Sequence, residues 1–395
     1  MLRFAPSPTA DMHIASLRLA IFNYMVAKQK NVHFTVRIED GDKARNIEGK
    51  DTEILQILEK FALPHASVFH QSEHLHMHQT LAIRLLEEKK AFVNKEDPAI
   101  ICLKKPQEDI VYHDLILGEI VTPAEEMDAL VILGDGRIPS HDFASACDDM
   151  ISGATLIINT EAQCHETAKQ IYMKQLMGYE EECQYAHLPL ILNAEGEKLQ
   201  LDDDAGSVKW LFAQGFIPDA IANYLILLGS DAPEEIFTMP EALSWFKLEN
   251  ISKSAVTFDI EKLRFINKAH LKMMDDKTLS TLFGFADADI GKLAKLYLDE
   301  ASTINELASK IKPFFAPKAF ESEWGEQMRV LEKIIWELPM IDSFEEFRST
   351  LMKESGLEEK NFTEALRLLL TGARQGPALS EIYPLIKPYL LEIAS

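Results

Sequence analysis

The N-terminal part of the chain alternates between short apolar strands and a helical pattern, and this alternation limits the fold more than any other feature. Leu2 to Ala5 is a short apolar stretch that Pro6 and Pro8 end. Apolar residues recur at helical spacing from Ile14 to Met25, and a second apolar strand follows at Val32 to Ile38. A strand, a helix and a strand in this order predict a right-handed crossover between parallel strands.

The rest of the chain divides into parts by its pattern. Short strand-like pieces and several prolines occupy residues 91–136, and the strand–helix pattern then resumes near Phe143. From Lys268 onward the pattern is amphipathic helix without a strand signal. We therefore expect an α/β protein with a Rossmann-type parallel-sheet domain in two halves, an inserted α+β segment, a loop-containing connecting domain and an all-helical C-terminal domain. Their expected bounds are 1–90 with 137–190, then 91–136, 191–267 and 268–395.

Composition narrows the class of protein. The chain has 395 residues, a net charge of −23 and four widely separated cysteines. Because phosphate contacts need Lys and Arg, this acidity argues against generic nucleic-acid or DNA binding, although a local basic surface can still bind RNA. No C-x-x-C pair occurs, so we expect no zinc site and no disulfide framework. The absence of a long apolar run and of a leader pattern predicts no membrane partner and a reducing cytoplasm.

Several motifs follow one another along nearly the whole chain. They are Arg3–Thr9 with His13-Ile14, Arg37–Asp40, Gln71–Glu73, Ala186–Leu192, Ser207-Val208, Gly215–Pro218, Ser252–Ser254 and Leu370–Gly372. In this order they resemble the glutamyl-tRNA synthetases of class I. The resemblance implies ATP with magnesium as cofactor and tRNA and glutamate as partners. It also implies that residues 91–136 form a shortened acceptor-binding insertion, 191–267 the second ATP-motif loop and stem-contact domain, and 268–395 a helical anticodon-binding-like domain.

The resemblance also implies a set of site residues. It assigns catalytic roles to His13 and Lys198, substrate binding to Arg3, Ser7, Glu39, His141 and Asn159, and ATP binding to Pro6, Thr9, Ala15, Lys198 and Leu201. The turn before the first helix aims amides at phosphates, and His13 can donate to developing charge there; the alternative is a helix-start residue without a role. Arg3 can pair a substrate carboxylate through two N–H groups, and Glu39 can hold an ammonium group. The alternative for both is an ion pair that stabilises the fold.

The sequence departs from the family pattern at the residues for ATP and glutamate. Alanine stands at Ala10 and Ala15 in place of glycine, and a lysine-rich loop reads Lys-Leu-Gln-Leu-Asp over residues 198–202. Asn159 replaces an arginine and His141 a tyrosine. At ~5 Å and an effective dielectric of ~20, one lost charge pair is worth roughly 3 kcal/mol. We therefore expect a glutamyl-tRNA synthetase family protein, formally a glutamate–tRNA ligase (AMP-forming), whose activity is impaired or lost.

Three hypotheses remain open at this stage. They are a working glutamate–tRNA ligase, a non-catalytic paralogue that binds tRNA or a protein partner, and a ligase that transfers a different group.

A histidine cluster, His70, His74, His76 and His78, also invites a metal interpretation, because His74 and His78 are one helical turn apart. No carboxylate or cysteine at matching spacing completes such a site, so we expect a solvated helix start and no metal.

Overall fold

The computed structural model describes residues 1–179, 182–200 and 203–395, and these form two compact units. One unit comprises Met1–Leu211 with Ile221–Ile260, and the other comprises Phe212–Ala220 with Glu261–Ser395. Within the described residues, no helix is long and apolar enough to cross a membrane.

All strands of the described residues belong to the first unit. They are Leu2–Phe4 (β1), Phe34–Ile38 (β2), Val68–His70 (β3), Ala91–Val93 (β4), Ile101–Leu103 (β5), Ile110–Asp114 (β6), Gly118–Thr122 (β7), Leu130–Leu133 (β8), Leu156–Thr160 (β9), Gln184–Leu188 (β10), Ile191–Leu192 (β11) and Val256–Thr257 (β12). The helices up to residue 245 are Ile14–Gln29 (α1), Lys50–Lys60 (α2), Leu75–Glu87 (α3), His141–Ile151 (α4), Cys164–Leu176 (α5), Val208–Ala213 (α6), Pro218–Leu227 (α7) and Met239–Trp245 (α8).

Parallel pairing dominates the centre of the first unit, as the sequence predicts. β2 lies between β1 and β3, and both of its neighbours run parallel to it. β9 pairs in parallel with β10, and β1 packs beside β9 without a continuous ladder. α1 covers β1, β2 and β9 with a face that includes the fully buried Ile14, Leu17 and Phe22. The Rossmann-type α/β architecture is therefore confirmed.

The segment expected as an insertion contributes to two sheets. β4, β5 and β8 form a separate antiparallel sheet, whereas β6 pairs in parallel with β10 and carries β7 on its other edge. A buried polar chain fixes the β6–β10 junction: Nδ1 of His187 bonds Asp114 at 2.6 Å, and Nε2 of His187 bonds Thr167 at 2.9 Å. Because all three side chains are buried, their mutual bonds satisfy groups that would otherwise be costly to desolvate.

A buried arginine joins the start of α1 to later parts of the first unit. Arg18 is 1% exposed and donates hydrogen bonds to the carbonyls of Pro189 and Leu228. Burial lowers its pKa to about 10, so the group remains charged at neutral pH. Removal of this side chain would leave two buried carbonyls without their donor.

All secondary-structure elements in the described residues of the second unit are helices, as predicted from the amphipathic pattern. Its helices are Ile260–Met273 (α9), Asp276–Thr281 (α10), Asp289–Lys295 (α11), Ile304–Phe315 (α12), Gly325–Glu337 (α13), Phe344–Ser355 (α14), Glu359–Thr371 (α15), Leu379–Ile386 (α16) and Leu390–Ile393 (α17). Thr303 and Glu306 form a capping box at the start of α12. Gly372 ends α15 with a φ of 67°, and a Cβ there would lie 2.7 Å from the Pro313 carbonyl, so only glycine fits.

Candidate active site

A cavity of about 760 Å³ lies beside β1, β2 and β9 and the start of α1. In open parallel sheets, ligands bind outside the carboxyl ends of the strands. The predicted site residues that line this cavity are Arg3, Pro6, Ser7, Thr9, His13, Ala15, Glu39, His141, Asn159 and Lys198. Leu201, the remaining predicted residue, lies outside the described residues. Residues far apart in sequence thus share one cavity, and their individual roles stay predictions.

His13 caps α1 with its own ring. Nδ1 accepts a hydrogen bond from the Ala15 amide at 3.1 Å, so the neutral ring carries its proton on Nε2. Nε2 is buried and makes no hydrogen bond to the described residues, although the Gln200 carbonyl is close enough to affect the ring's pKa. Burial is the main reason that the pKa of His13 lies below its ordinary value, and nearby Lys198 lowers it further. The ring is therefore uncharged at neutral pH, and the Ala15 amide is not free for a phosphate.

Arg3 already has a carboxylate partner within the protein. Its Nε and Nη2 contact the two oxygens of Asp149 at 2.9 and 3.1 Å, which is a two-pronged pair. Its Nη1 has a longer contact, 3.4 Å, to the amide oxygen of Asn159. The two-pronged contact that the sequence suggested for a substrate carboxylate is thus made with Asp149. This edge of Arg3 therefore forms an ion pair that stabilises the fold, which is the alternative that the sequence left open. One other N–H edge of Arg3 remains toward the cavity.

Glu39 is held by a second buried arginine. Arg37 contacts Glu39 at 2.8 Å and Asp149 at 2.7 Å, and the Ser145 hydroxyl donates to the same Glu39 oxygen at 3.1 Å. The other Glu39 oxygen lies 3.7 Å from Nδ1 of His141. Glu39 therefore has one oxygen committed to the fold and one near the cavity, where an ammonium group can be bound.

The charges behind the cavity balance one another. The members of this buried network are Arg3, Arg37, Lys174, Glu39, Asp148 and Asp149. Burial alone would raise the pKa of Asp149, but the charges of Arg3 and Arg37 outweigh it and hold that pKa below its ordinary value. Three cations thus face three carboxylates before any substrate is present. A carboxylate entering from solvent finds no spare positive charge in this network.

The rim of the cavity is acidic. His141, Asp142 and Glu166 offer ligand-type atoms within 4.8 Å of one another. The His141 side chain is 48% exposed, and Lys169 lies 3.8 Å from the Asp142 carboxylate. The neighbouring Glu39 adds a further negative charge, so this rim favours cations over anions.

The loop after β11 closes the cavity beside His13. Lys198 and Gln200 line the cavity, and the Gln200 amide donates to the Asp203 carboxylate at 2.7 Å. At Gly206, a Cβ would lie 2.4 Å from the Gln200 carbonyl and 2.8 Å from Nε2 of His13. This close approach requires glycine, and it fixes the loop against the start of α1.

A second cavity, of about 1020 Å³, adjoins the first. The residues common to both linings are Ser7, Thr9, Glu39 and His141. Lys43 and Arg45 line only the second cavity, together with the carboxylates of Glu39, Asp42 and Asp135. The second lining therefore has no excess of cations for a polyanionic ligand.

The sequence reasoning missed the acidic pair Asp148-Asp149 and its partner Lys174. A signal was present, because two adjacent aspartates lie in an otherwise apolar helical stretch from Phe143 to Met150. Both are 1% exposed, and a buried carboxylate requires a cation or several donors. One of the arginines at the strand ends could therefore have been inferred as the cation that these aspartates require.

Comparison with known families gives two matches that together span nearly the whole chain. The family model of class I tRNA synthetases (E and Q), catalytic domain, matches residues 1–99 and 93–265. An anticodon binding domain model matches residues 264–388. The two matches of the catalytic-domain model meet at residues 93–99, in the connection between β4 and β5.

Curated relatives and solved structures are similar over their full length. Glutamate--tRNA ligase 2 of Sulfurovum sp. is 60% identical, and that of Sulfurimonas denitrificans is 45% identical, with 100% of each chain covered in both cases. The alignment with the Sulfurovum protein spans 428 positions, 33 more than the 395 residues here. A glutamate tRNA ligase structure from Elizabethkingia meningosepticum has a TM-score of 0.79 at 23% identity and covers 99% of this chain and 97% of that one.

Proposed function

The chain belongs to the glutamate–tRNA ligase family of class I aminoacyl-tRNA synthetases, and from that premise we propose that it binds tRNA while it activates glutamate much more slowly than its relatives. In the family reaction, a carboxylate oxygen of glutamate attacks the α-phosphorus of ATP and pyrophosphate leaves. The acyl group then passes to the terminal adenosine of tRNA. The first of these steps brings two anions together, and its rate depends on positioning and on cations around the phosphates.

One observation carries the proposal: the buried charges around Arg3 are already neutralised. Asp149 occupies two nitrogens of Arg3, and the neutral Asn159 stands where the family resemblance predicts an arginine. The side-chain carboxylate of glutamate is therefore offered one remaining N–H edge of Arg3 and an amide. A missing charge pair at ~5 Å and an effective dielectric of ~20 is worth about 3 kcal/mol, which corresponds to about two powers of ten in affinity or rate.

The charge of the cavity lining supports the same conclusion for ATP. Among the described residues of this lining, the full cations are Arg3 and Lys198, and the carboxylates are Asp11, Glu39 and Glu166. The lining is thus negative by one charge when its histidines are neutral. A triphosphate is stabilised by an excess of cations, so we expect weak ATP binding in this cavity.

Magnesium would enter with ATP as part of the substrate complex. Two of the three lining carboxylates fit such an ion poorly, because Asp11 pairs with Lys50 and one oxygen of Glu39 is held by Arg37; Glu166 alone does not form a magnesium site. We therefore assign no protein ligand to magnesium. His13 holds one N–H for developing negative charge, and Lys198 supplies a cation beside it.

The tRNA-binding part of the proposal rests on the rest of the chain. The match to the anticodon binding domain extends over residues 264–388, so a tRNA partner follows from the family. We assign residues 191–267 to stem contact and 91–136 to the acceptor end. We also infer that the 33 positions missing relative to the Sulfurovum protein lie in that acceptor segment, near residues 93–99.

A non-catalytic tRNA-binding protein is the second candidate function, since the altered residues cluster at the cavity and spare the helical unit.

Charging of tRNA with labelled glutamate tests the proposal. This chain and the Sulfurovum relative are assayed side by side with the same tRNA, and tRNA binding is titrated in parallel at low salt. We expect binding that weakens steeply with salt and charging at least about a hundredfold slower than the relative's. Equal charging rates would refute slow activation, and no binding at low salt would refute the tRNA assignment.

A further inference from the structure

Two imidazoles and a carboxylate meet on the first unit, outside the 760 Å³ cavity and beside the second one. His74 precedes α3, His78 lies within α3, and Asp148 lies in α4. Nδ1 of His74 and Nε2 of His78 each lie 2.8 Å from the same oxygen, Oδ1 of Asp148. All three ligand-type atoms lie within 4.8 Å of one another.

This arrangement corrects the expectation of a solvated helix start without a completing ligand. His78 is 1% exposed and Asp148 is buried beside it. The carboxylate comes from a helix 70 residues later in the chain, so no spacing rule applied to the histidine stretch alone can find it. Asp148 therefore completes a set of three ligand-type residues with His74 and His78.

We propose that His74, His78 and Asp148 bind a divalent transition metal ion of the zinc class. Two imidazoles and one carboxylate form a ligand set that proteins use for such ions, with water in the remaining position. The site differs from a zinc knuckle in that it uses no cysteine.

The ligand atoms must shift to accept an ion. Ligands at ~2.0–2.1 Å around tetrahedral zinc are roughly 3.3 Å apart, so Oδ1 of Asp148 must withdraw by about 0.5 Å from each imidazole nitrogen. The two imidazole nitrogens, which lie within 4.8 Å of each other, must reach the same separation. The proton on each coordinating nitrogen moves to the other nitrogen of its ring. Binding of the ion through these nitrogens therefore requires a change of tautomer in each ring.

The surroundings of Asp148 hold its carboxylate in place for this role. Gln71 donates from Nε2 to Oδ2 at 2.9 Å, which leaves Oδ1 to the two histidines. Such a bond to the far oxygen orients a ligating carboxylate.

An ion and its water can reach the site from two sides. The His74 side chain is 27% exposed at the surface. His78 and Gln71 border the second cavity, which supplies room for a water ligand. His74 also stacks on the Phe69 ring at 4.9 Å, so its ring orientation is fixed before the ion binds.

The grouping of His141, Asp142 and Glu166 is the weaker candidate for such an ion. It offers one imidazole instead of two, and its histidine is about half exposed. Lys169 lies near its Asp142 carboxylate and opposes a cation there. The preorganised, buried set around Asp148 is therefore the one to test.

An ion at this site would join α3 to α4. α4 also carries Asp149, which neutralises Arg3, and it begins at His141 on the rim of the cavity. Binding of the metal would therefore fix the helix that supplies the charge balance behind the cavity. This consequence does not depend on whether the chain activates glutamate.

Titration of the untagged, metal-free full chain with Co²⁺ and then Zn²⁺ tests the proposal. We expect one equivalent of Co²⁺ to give the visible absorption of a four-coordinate site and Zn²⁺ to remove it. His74→Ala should weaken Zn²⁺ binding by at least about a hundredfold, and Asp148→Asn should abolish the cobalt spectrum. His76→Ala, which removes an exposed histidine from the same helix, should leave both unchanged.

Two results would overturn the assignment. One is the absence of a cobalt spectrum in the unaltered chain. The other is a Zn²⁺ affinity of His74→Ala equal to that of the unaltered chain, or a loss of affinity in His76→Ala as large as the loss in His74→Ala. Because His74 is partly exposed, its alanine variant should keep the unaltered chain's circular dichroism spectrum, and Zn²⁺ should raise the unfolding midpoint of the unaltered chain alone.

Discussion

Replacement of Asn159 by arginine should restore part of the affinity for glutamate. The Asn159 amide oxygen lies 3.4 Å from Nη1 of Arg3, on the wall of the 760 Å³ cavity. The cavity has room for a longer side chain, and the new guanidinium would add a cation that the buried network does not already neutralise.

The expected gain follows from two opposed terms. A charge pair at ~4 Å contributes about 4 kcal/mol at an effective dielectric of ~20. Repulsion from Arg3 reduces this gain, although Asp149 screens Arg3 at close range. If about half of the attraction survives, the net gain is roughly 2 kcal/mol, which corresponds to about a thirtyfold lower Kd for glutamate.

Isothermal titration with glutamate and with glutamine measures this effect. Glutamine has nearly the same shape but no side-chain charge, so its affinity for Asn159→Arg should not rise. Asn159→Gln lengthens the side chain without a charge and serves as the matched control. Equal gains for glutamate and glutamine, or no gain for either, would refute the electrostatic account of this pocket.

Two further predictions concern charge elsewhere in the first unit. Asp149→Asn should lower the free energy of unfolding at pH 7 by about 3–5 kcal/mol, because it leaves buried cations unpaired; urea denaturation measures this. Since the folded pKa of Asp149 is depressed, its contribution is present above the ordinary value of 3.8 and disappears as the pH falls through the folded value. The double change Leu201→Lys with Asp202→Arg should strengthen ATP binding in a fluorescence titration, whereas Ala194→Lys with Glu195→Arg, an equal charge change on an exposed turn, should not.

Much of the fold could be predicted because its signals are local. The spacing of apolar residues that predicts α1 and β2 arises within each element, because each buries one set of its own side chains. The C-terminal helices show the same kind of spacing. The pairing of β6 with β10 could not be predicted in this way. It depends on a contact between Tyr185 and Asp114, and a short strand gives no sequence sign of which edge it joins.

The candidate site likewise has a part that could be predicted from the sequence and a part that could not. The resemblance found the residues that line the cavity, since their order along the chain is fixed by the motifs. It did not find that Asp149 occupies Arg3, nor that Asp148 completes the pair His74 and His78. Both contacts arise because α4 packs against elements that precede it by many residues, and such packing leaves no periodic pattern.

The exchange of labelled pyrophosphate into ATP, measured with glutamate and tRNA both present, isolates the activation step. The Sulfurovum relative provides the reference rate, and omission of glutamate provides the blank. We predict an exchange rate at least about a hundredfold below that reference. A rate equal to the reference would contradict the claim that neutralised and missing cations limit this site.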